Sequence, residues 1–135
     1  MNSFEIKYKD HFRTVAKHLE SGQIINTDAP KDNEGKGEYF SPTDLVCVAL
    51  ASCMLTIIAI SLKKYKIDIM GTSAIITKKM QVNPRMISEI DIVITFFKDY
   101  DKRSKKIIQR AALSCPVYRS LSSKIDKKVE FRYPK

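Results

Sequence analysis

Three side chains in this sequence can act as nucleophiles or redox centres once ionised: Cys47, Cys53 and Cys115. No two of them stand in a Cys-x-x-Cys pair, and His11 and His18 do not complete a zinc-binding pattern. Three cysteines in 135 residues are also too few for a disulfide scaffold. Neither a structural metal nor a cofactor is therefore expected. Cys47 and Cys53 lie six residues apart in an uncharged run; six helical steps turn the chain by about 600°, so the two thiols point to different sides. Cys47 reads as a small core hydrophobe. Cys115 is followed by Pro116, with Arg119 one turn on. A thiol at that helix start would feel the positive end of the helix dipole, and a lowered pKa is expected. There is no Gly-x-Ser-x-Gly elbow, P-loop or dinucleotide fingerprint, and both histidines lie in the extended N-terminal region. Hydrolase and nucleotide chemistry are excluded on these grounds.

The elements that must position the thiols follow from hydrophobic periodicity. Phe4, Ile6 and Tyr8 alternate with Glu5 and Lys7, a half-buried strand. A second extended run, 12–19, turns at Ser21-Gly22 into a third beginning at Gln23. Residues 27–41, with Pro30, Gly35 and Gly37, are expected to be an exposed loop. Ser41-Pro42-Thr43-Asp44 then has the form of a helix start: a cap, a proline at the first position and a carboxylate in the first turn. From Leu45 to Leu62 no residue is charged, and a helix of that length spans about 27 Å. Ser52, Thr56, Ser61 and two cysteines dilute its hydrophobicity, and amphipathic strands flank it, so a membrane span is not expected. A helix apolar all round in so small a chain needs cover on every side, and a second subunit is predicted to supply it.

Period two returns after Lys66. Ile67, Ile69, Ala74, Ile76, Met80 and Val82 predict one long strand with Gly71 as a bulge. A turn at Asn83-Pro84-Arg85 leads to a partner strand through Ile87, Ile90, Ile92, Ile94 and Phe96. Residues 101–113 carry Ile107, Ile108, Ala111 and Ala112 at amphipathic-helix spacing, Cys115-Pro116 breaks that helix, and 127–133 form a last strand. The expected fold is a single α+β domain over residues 1–135, with about six antiparallel strands and two or three helices.

The formal charge is +9, and eleven Lys or Arg against three acids after Tyr100 supply +8 of it. Residues 28–44 are acidic instead, with Asp28, Asp32, Glu34, Glu38 and Asp44 against two lysines. Basic and aromatic residues do not interleave as in an RNA-reading motif, so the lysine-rich end is read as a solvated face and no nucleic-acid partner is expected. The first ten residues carry Glu5, Lys7, Lys9 and Asp10 and lack the apolar core of a signal peptide, which predicts a reducing, cytoplasmic location.

Two motifs narrow the chemistry. Ser41-Pro42-Thr43-Asp44-Leu45-Val46 with Ala49-Leu50-Ala51-Ser52-Cys53, and Ser114-Cys115-Pro116-Val117-Tyr118-Arg119-Ser120-Leu121, resemble the two signatures of the OsmC/Ohr family. The order of elements matches over nearly the whole chain. The resemblance implies an intertwined homodimer and a thiol-dependent peroxidase for organic hydroperoxides. Cys53 would attack the peroxide and become a sulfenic acid, Cys115 would resolve it as a Cys53–Cys115 disulfide, and an external dithiol would reduce that disulfide. Leu50, Met54, Ile57 and Ile58 would line an apolar site for the substrate. Peroxidase members place a Glu ten residues before the first cysteine to orient an activating Arg. Here that position is Thr43, with Asp44 beside it, and Arg13 is the candidate for the Arg. An alternative reading within the same family is a dimer that binds a small hydrophobic ligand or senses redox state, with little peroxidase activity.

Overall fold

Alternating side chains and tight turns build the N-terminal sheet. The computed structural model describes residues 2–135, and the chain divides into two compact units between Val46 and Cys47. In the first unit, β1 (Phe4–Asp10), β2 (Arg13–His18) and β3 (Ile24–Asp28) form an antiparallel sheet in that order. Phe4, Ile6 and Tyr8 share one side of β1 by alternation, yet each is more than half exposed in the single chain. The segment after β3 is mostly exposed, as expected, and holds one 3-10 turn at Lys31–Asn33. Thr27 and Asp28, expected to open that loop, instead end β3 and are buried, as is Ser41 at the loop's far end.

Helix α1 (Pro42–Lys63) begins where the sequence places it. The Ser41 N–H donates to Asp44 Oδ2 at 2.9 Å, and the Asp44 N–H donates to Ser41 Oγ at 3.0 Å. This reciprocal pair satisfies two N-terminal amides, as a capping box does. Further along, Leu50, Met54, Ile58 and Leu62 are fully buried and define one stripe at helical spacing. The remaining surface of α1 from Leu45 to Leu62 is uncharged, with Ser52 and Thr56 exposed among apolar residues, and Ile60 is 61% exposed. Among the described residues α1 is the one helix long and apolar enough to cross a membrane.

The second unit contains β4 (Ser73–Gln81), β5 (Met86–Thr95) and β6 (Asp126–Arg132), ordered β4-β5-β6. Strands β4 and β5 form the expected antiparallel hairpin, with a register shift at Lys79/Met80. Gly71 is not a bulge. It sits at φ +85° in the turn before β4, where an added Cβ would come within 3.0 Å of the Phe97 Cβ, so the strand starts at Ser73 and not at Ile67. β6 also departs from the antiparallel expectation, because it pairs with β5 in parallel. The connection from Thr95 to Asp126 runs through α2 (Lys102–Leu113) and α3 (Pro116–Ser120), and a helical crossover of this kind returns the chain in the same direction. Ile90, Ile92 and Ile94 of β5, with Ile108 and Ala112 of α2, are almost completely buried and form the core of this unit with the α1 stripe. Asp101 caps α2 by accepting from the Ser104 N–H at 2.7 Å.

The opposite side of β5 is charged. Lys79, Glu89 and Lys128 stand on β4, β5 and β6, and both lysines bind the carboxylate of Glu89, Lys128 at 2.9 Å. The Lys79 and Lys128 hydrogen bonds outweigh the opposing effect of burial and hold the Glu89 carboxyl at about 2, against an ordinary 4.5. A carboxyl depressed in the folded state contributes stability above its unfolded pKa and loses it as pH falls through the folded value. Glu89→Gln is therefore expected to flatten the stability curve between an unfolded value of 4.5 and a folded value of about 2. Urea denaturation at pH steps across that window checks this; a slope equal to that of the parent would show that the lysines do not act through Glu89.

Candidate redox site

α1 and the Cys-Pro break bring two thiols together. Cys115 is the N-cap of α3, and Pro116 at the first helical position enforces the break from α2. The Tyr118 N–H donates to Cys115 Sγ at 3.3 Å, so the sulfur replaces the usual capping oxygen. The second thiol at this place is that of Cys53, from the fourth turn of α1, near enough to Cys115 to raise its pKa. The two environments differ. Cys115 is fully buried, whereas Cys53 is partly exposed. Both are free thiols.

The expected lowering of the Cys115 pKa does not occur. Burial raises it, the Tyr118 N–H works against that, and the neighbouring Cys53 raises it further. A single turn of α3 offers too little dipole to outweigh the loss of water, and Arg119 is exposed. Cys47 is buried at 4% exposure on the α1 stripe. Of the apolar residues expected around Cys53, Leu50, Met54 and Ile58 are fully buried and Ile57 is partly exposed.

Arg13 is fixed within the first unit. The β2–β3 register sets it directly opposite Asp28. Its Nε donates to Asp28 Oδ1 at 3.1 Å, and its Nη2 donates to Asp28 Oδ2 at 3.3 Å and pairs with Glu38 Oε2 at 2.9 Å. The guanidinium also lies 5.2 Å from the Tyr39 ring centre. Asp28 is completely buried, and the Arg13 hydrogen bond, with the Glu38 N–H at 2.9 Å, holds its carboxyl below the usual range. A planar guanidinium gripped on two sides has little rotational freedom left. Sequence reasoning named Arg13 but not Asp28 or Glu38. The signal was present, since a turn at Ser21-Gly22 fixes the antiparallel register that pairs residues 13 and 28. Thr43 and Asp44 lie in the capped first turn of α1, where the Thr43 hydroxyl is 3.2 Å from Ser41 Oγ. Among the described residues no cluster of His, Cys, Asp or Glu has the arrangement of a metal site.

The chain matches the family model described as OsmC-like protein over residues 35–130. A solved structure from Psychrobacter arcticus 273-4, named as an osmotic stress induced and detoxification response protein, is 49% identical to it. That structure superposes at a TM-score of 0.93 over 97% of this chain and 96% of its own. An OsmC like protein from Mycoplasma pneumoniae, 17% identical, covers 100% and 98% of the two chains at a TM-score of 0.83. The Legionella pneumophila organic hydroperoxide resistance protein OsmC, 12% identical, covers 98% and 96% at a TM-score of 0.78. These last two share the fold. No curated protein matches the chain.

Proposed function

The chain belongs to the OsmC-like protein family, and from that premise we propose that it is a two-cysteine thiol peroxidase acting on organic hydroperoxides. The observation that carries the reading is the proximity of Cys53 to Cys115 in unequal surroundings. Peroxide must reach the attacking sulfur, and Cys53 is the thiol with open surface. The resolving sulfur must stay protonated until a sulfenic acid forms beside it, and burial keeps Cys115 in that state. The Cys53 thiolate attacks one oxygen of the O–O bond, an alcohol leaves with a proton, and Cys53 becomes a sulfenic acid. Cys115 then displaces water from that sulfur and forms the disulfide. A dithiol reductant returns both thiols and leaves as its own disulfide. The name of the Legionella relative, an organic hydroperoxide resistance protein, agrees with this substrate class.

Arg13 is proposed as the cation that stabilises the Cys53 thiolate. Asp28 and Glu38 hold it, in the place of the missing Glu at Thr43. Asp44 serves the site by fixing the start of α1. The active unit is proposed to be a cytoplasmic homodimer. The open flank of α1 and the uncovered row Phe4, Ile6 and Tyr8 are apolar surfaces that a second copy would remove from water.

The test is one equivalent of cumene hydroperoxide added to reduced protein, followed by peptide mass spectrometry without reductant. A Cys53–Cys115 disulfide is expected within seconds. In Cys115→Ser the same treatment is expected to leave Cys53 as a sulfenic acid that a cyclic dione traps. Two thiols that stay reduced would overturn the peroxidase reading and leave a dimer that binds a hydrophobic ligand.

A further inference from the structure

The turn that begins at the buried thiol has little of its own to hold it. α3 is five residues long and none of its side chains is fully buried, and a single helical turn is marginal unless other elements fix it. Yet this turn aims the Tyr118 N–H at Cys115 Sγ, 3.3 Å away. An anchor comes from β6. There Asp126, Lys128, Glu130 and Arg132 are exposed, while Lys127, Val129 and Phe131 alternate with them on the less exposed side. The parallel register sets Lys127 beside Ile90, which is completely buried. An ammonium therefore stands on the side of the strand where the period calls for an apolar residue.

That ammonium is held by the chain just after Cys115. Lys127 Nζ donates to the Ser122 carbonyl at 3.2 Å and to the Ile125 carbonyl at 3.0 Å, and it lies 5.2 Å from the Tyr118 ring centre. The two charge-assisted bonds close the 122–125 connection onto β6. The ring contact reaches the same residue whose N–H caps the sulfur. One side chain thus ties both α3 and its exit to the sheet.

We propose that Lys127 is a positioning residue for the resolving thiol: it fixes α3 and the 122–125 connection so that Cys115 Sγ meets the sulfur of Cys53 in the closing step. The proposal rests on the two-cysteine reading above. In that step Cys115 gives up its proton, its sulfur bonds to the Cys53 sulfenic sulfur, and the S–O bond breaks to release water that carries the proton away. Such a displacement needs its atoms in line, and a misplacement of about 1 Å is enough to slow it strongly. Lys127 acts through Tyr118 and the connection, so the first step, at Cys53, does not depend on it.

Stopped-flow reaction of the reduced protein with one equivalent of dithiobis(nitrobenzoate) tests this without peroxide. Cys53 displaces one coloured thiolate and forms a mixed disulfide; Cys115 then displaces the second and closes the Cys53–Cys115 bond, which peptide mass spectrometry identifies. In Lys127→Met and Lys127→Gln the second phase is expected to slow at least about tenfold, the scale of one charge-assisted hydrogen bond, with the first phase unchanged within about twofold. Lys127→Arg, which keeps the cation, should close within about threefold of the parent. A Lys127-dependent second phase in a protein whose thiols ignore hydroperoxide would sustain the positioning role while the peroxidase reading falls. Parent-like closure in both neutral variants, equal slowing of the two phases, loss in Lys127→Arg as large as in Lys127→Met, or no Cys53–Cys115 disulfide in the parent would overturn the proposal.

Discussion

Cys53→Ser is expected to lower organic hydroperoxide turnover by at least about a thousandfold, because the proposed attacking atom is lost and a hydroxyl in its place is not ionised at neutral pH. The neighbouring groups cannot substitute for it. Cys115 is completely buried and its pKa is raised, first by burial, so it offers little thiolate and no open path for peroxide. Cys47 is buried on the α1 stripe. Cys47→Ser is expected to retain turnover within a few-fold, since a hydroxyl near the volume of a thiol disturbs packing more than chemistry. Steady-state consumption of cumene hydroperoxide with a dithiol reductant measures both variants. Equal loss in the two would place the nucleophile elsewhere or show that the α1 stripe had been damaged. Turnover retained in Cys53→Ser would remove the proposed mechanism.

Phe96→Ala is expected to destabilise the fold by about 3–5 kcal/mol, the usual range for removing a buried aromatic ring. Phe96 follows β5 directly and is 2% exposed. Its ring stacks on Tyr133 at 4.8 Å and 12° and meets Tyr100 edge-on at 5.7 Å, while its N–H donates to the Arg132 carbonyl at 2.9 Å. One residue therefore ties the end of β6 to the entry of α2, the helix that leads to Cys115. Removal would leave a cavity flanked by two tyrosines and lower the melting temperature by roughly 10–20 °C in a chain of this size. Val82→Ala, at a site 73% exposed in the β4–β5 turn, is the matched control and should change stability by less than about 0.5 kcal/mol. Thermal melts compare the two. A Phe96→Ala melt within a few degrees of the parent would show that the tyrosines close the gap.

Much of the arrangement was legible because it depends on near neighbours in the chain. The capping residues Ser41, Pro42 and Asp44 set the start of α1 within a residue, since a cap acts through its own turn. Period-two runs marked β1, β4 and β5, and Pro116 marked the break between α2 and α3. The motifs around Cys53 and Cys115 mark two thiols that the fold brings near each other. Gly71 was misread because a glycine between two alternating runs looks alike whether the chain bulges or turns. Only the approach of Phe97 shows that it turns.

Local order determined which residues are helical, which are extended, where α1 begins and which two cysteines stand in the family motifs. Tertiary structure alone decided the direction of β6, the raised pKa of Cys115, and the grip of Asp28 and Glu38 on Arg13. The division has a physical cause. Periodicity and capping act over a few residues, whereas burial, ion pairing and strand direction depend on groups that are distant in the chain and adjacent only after folding.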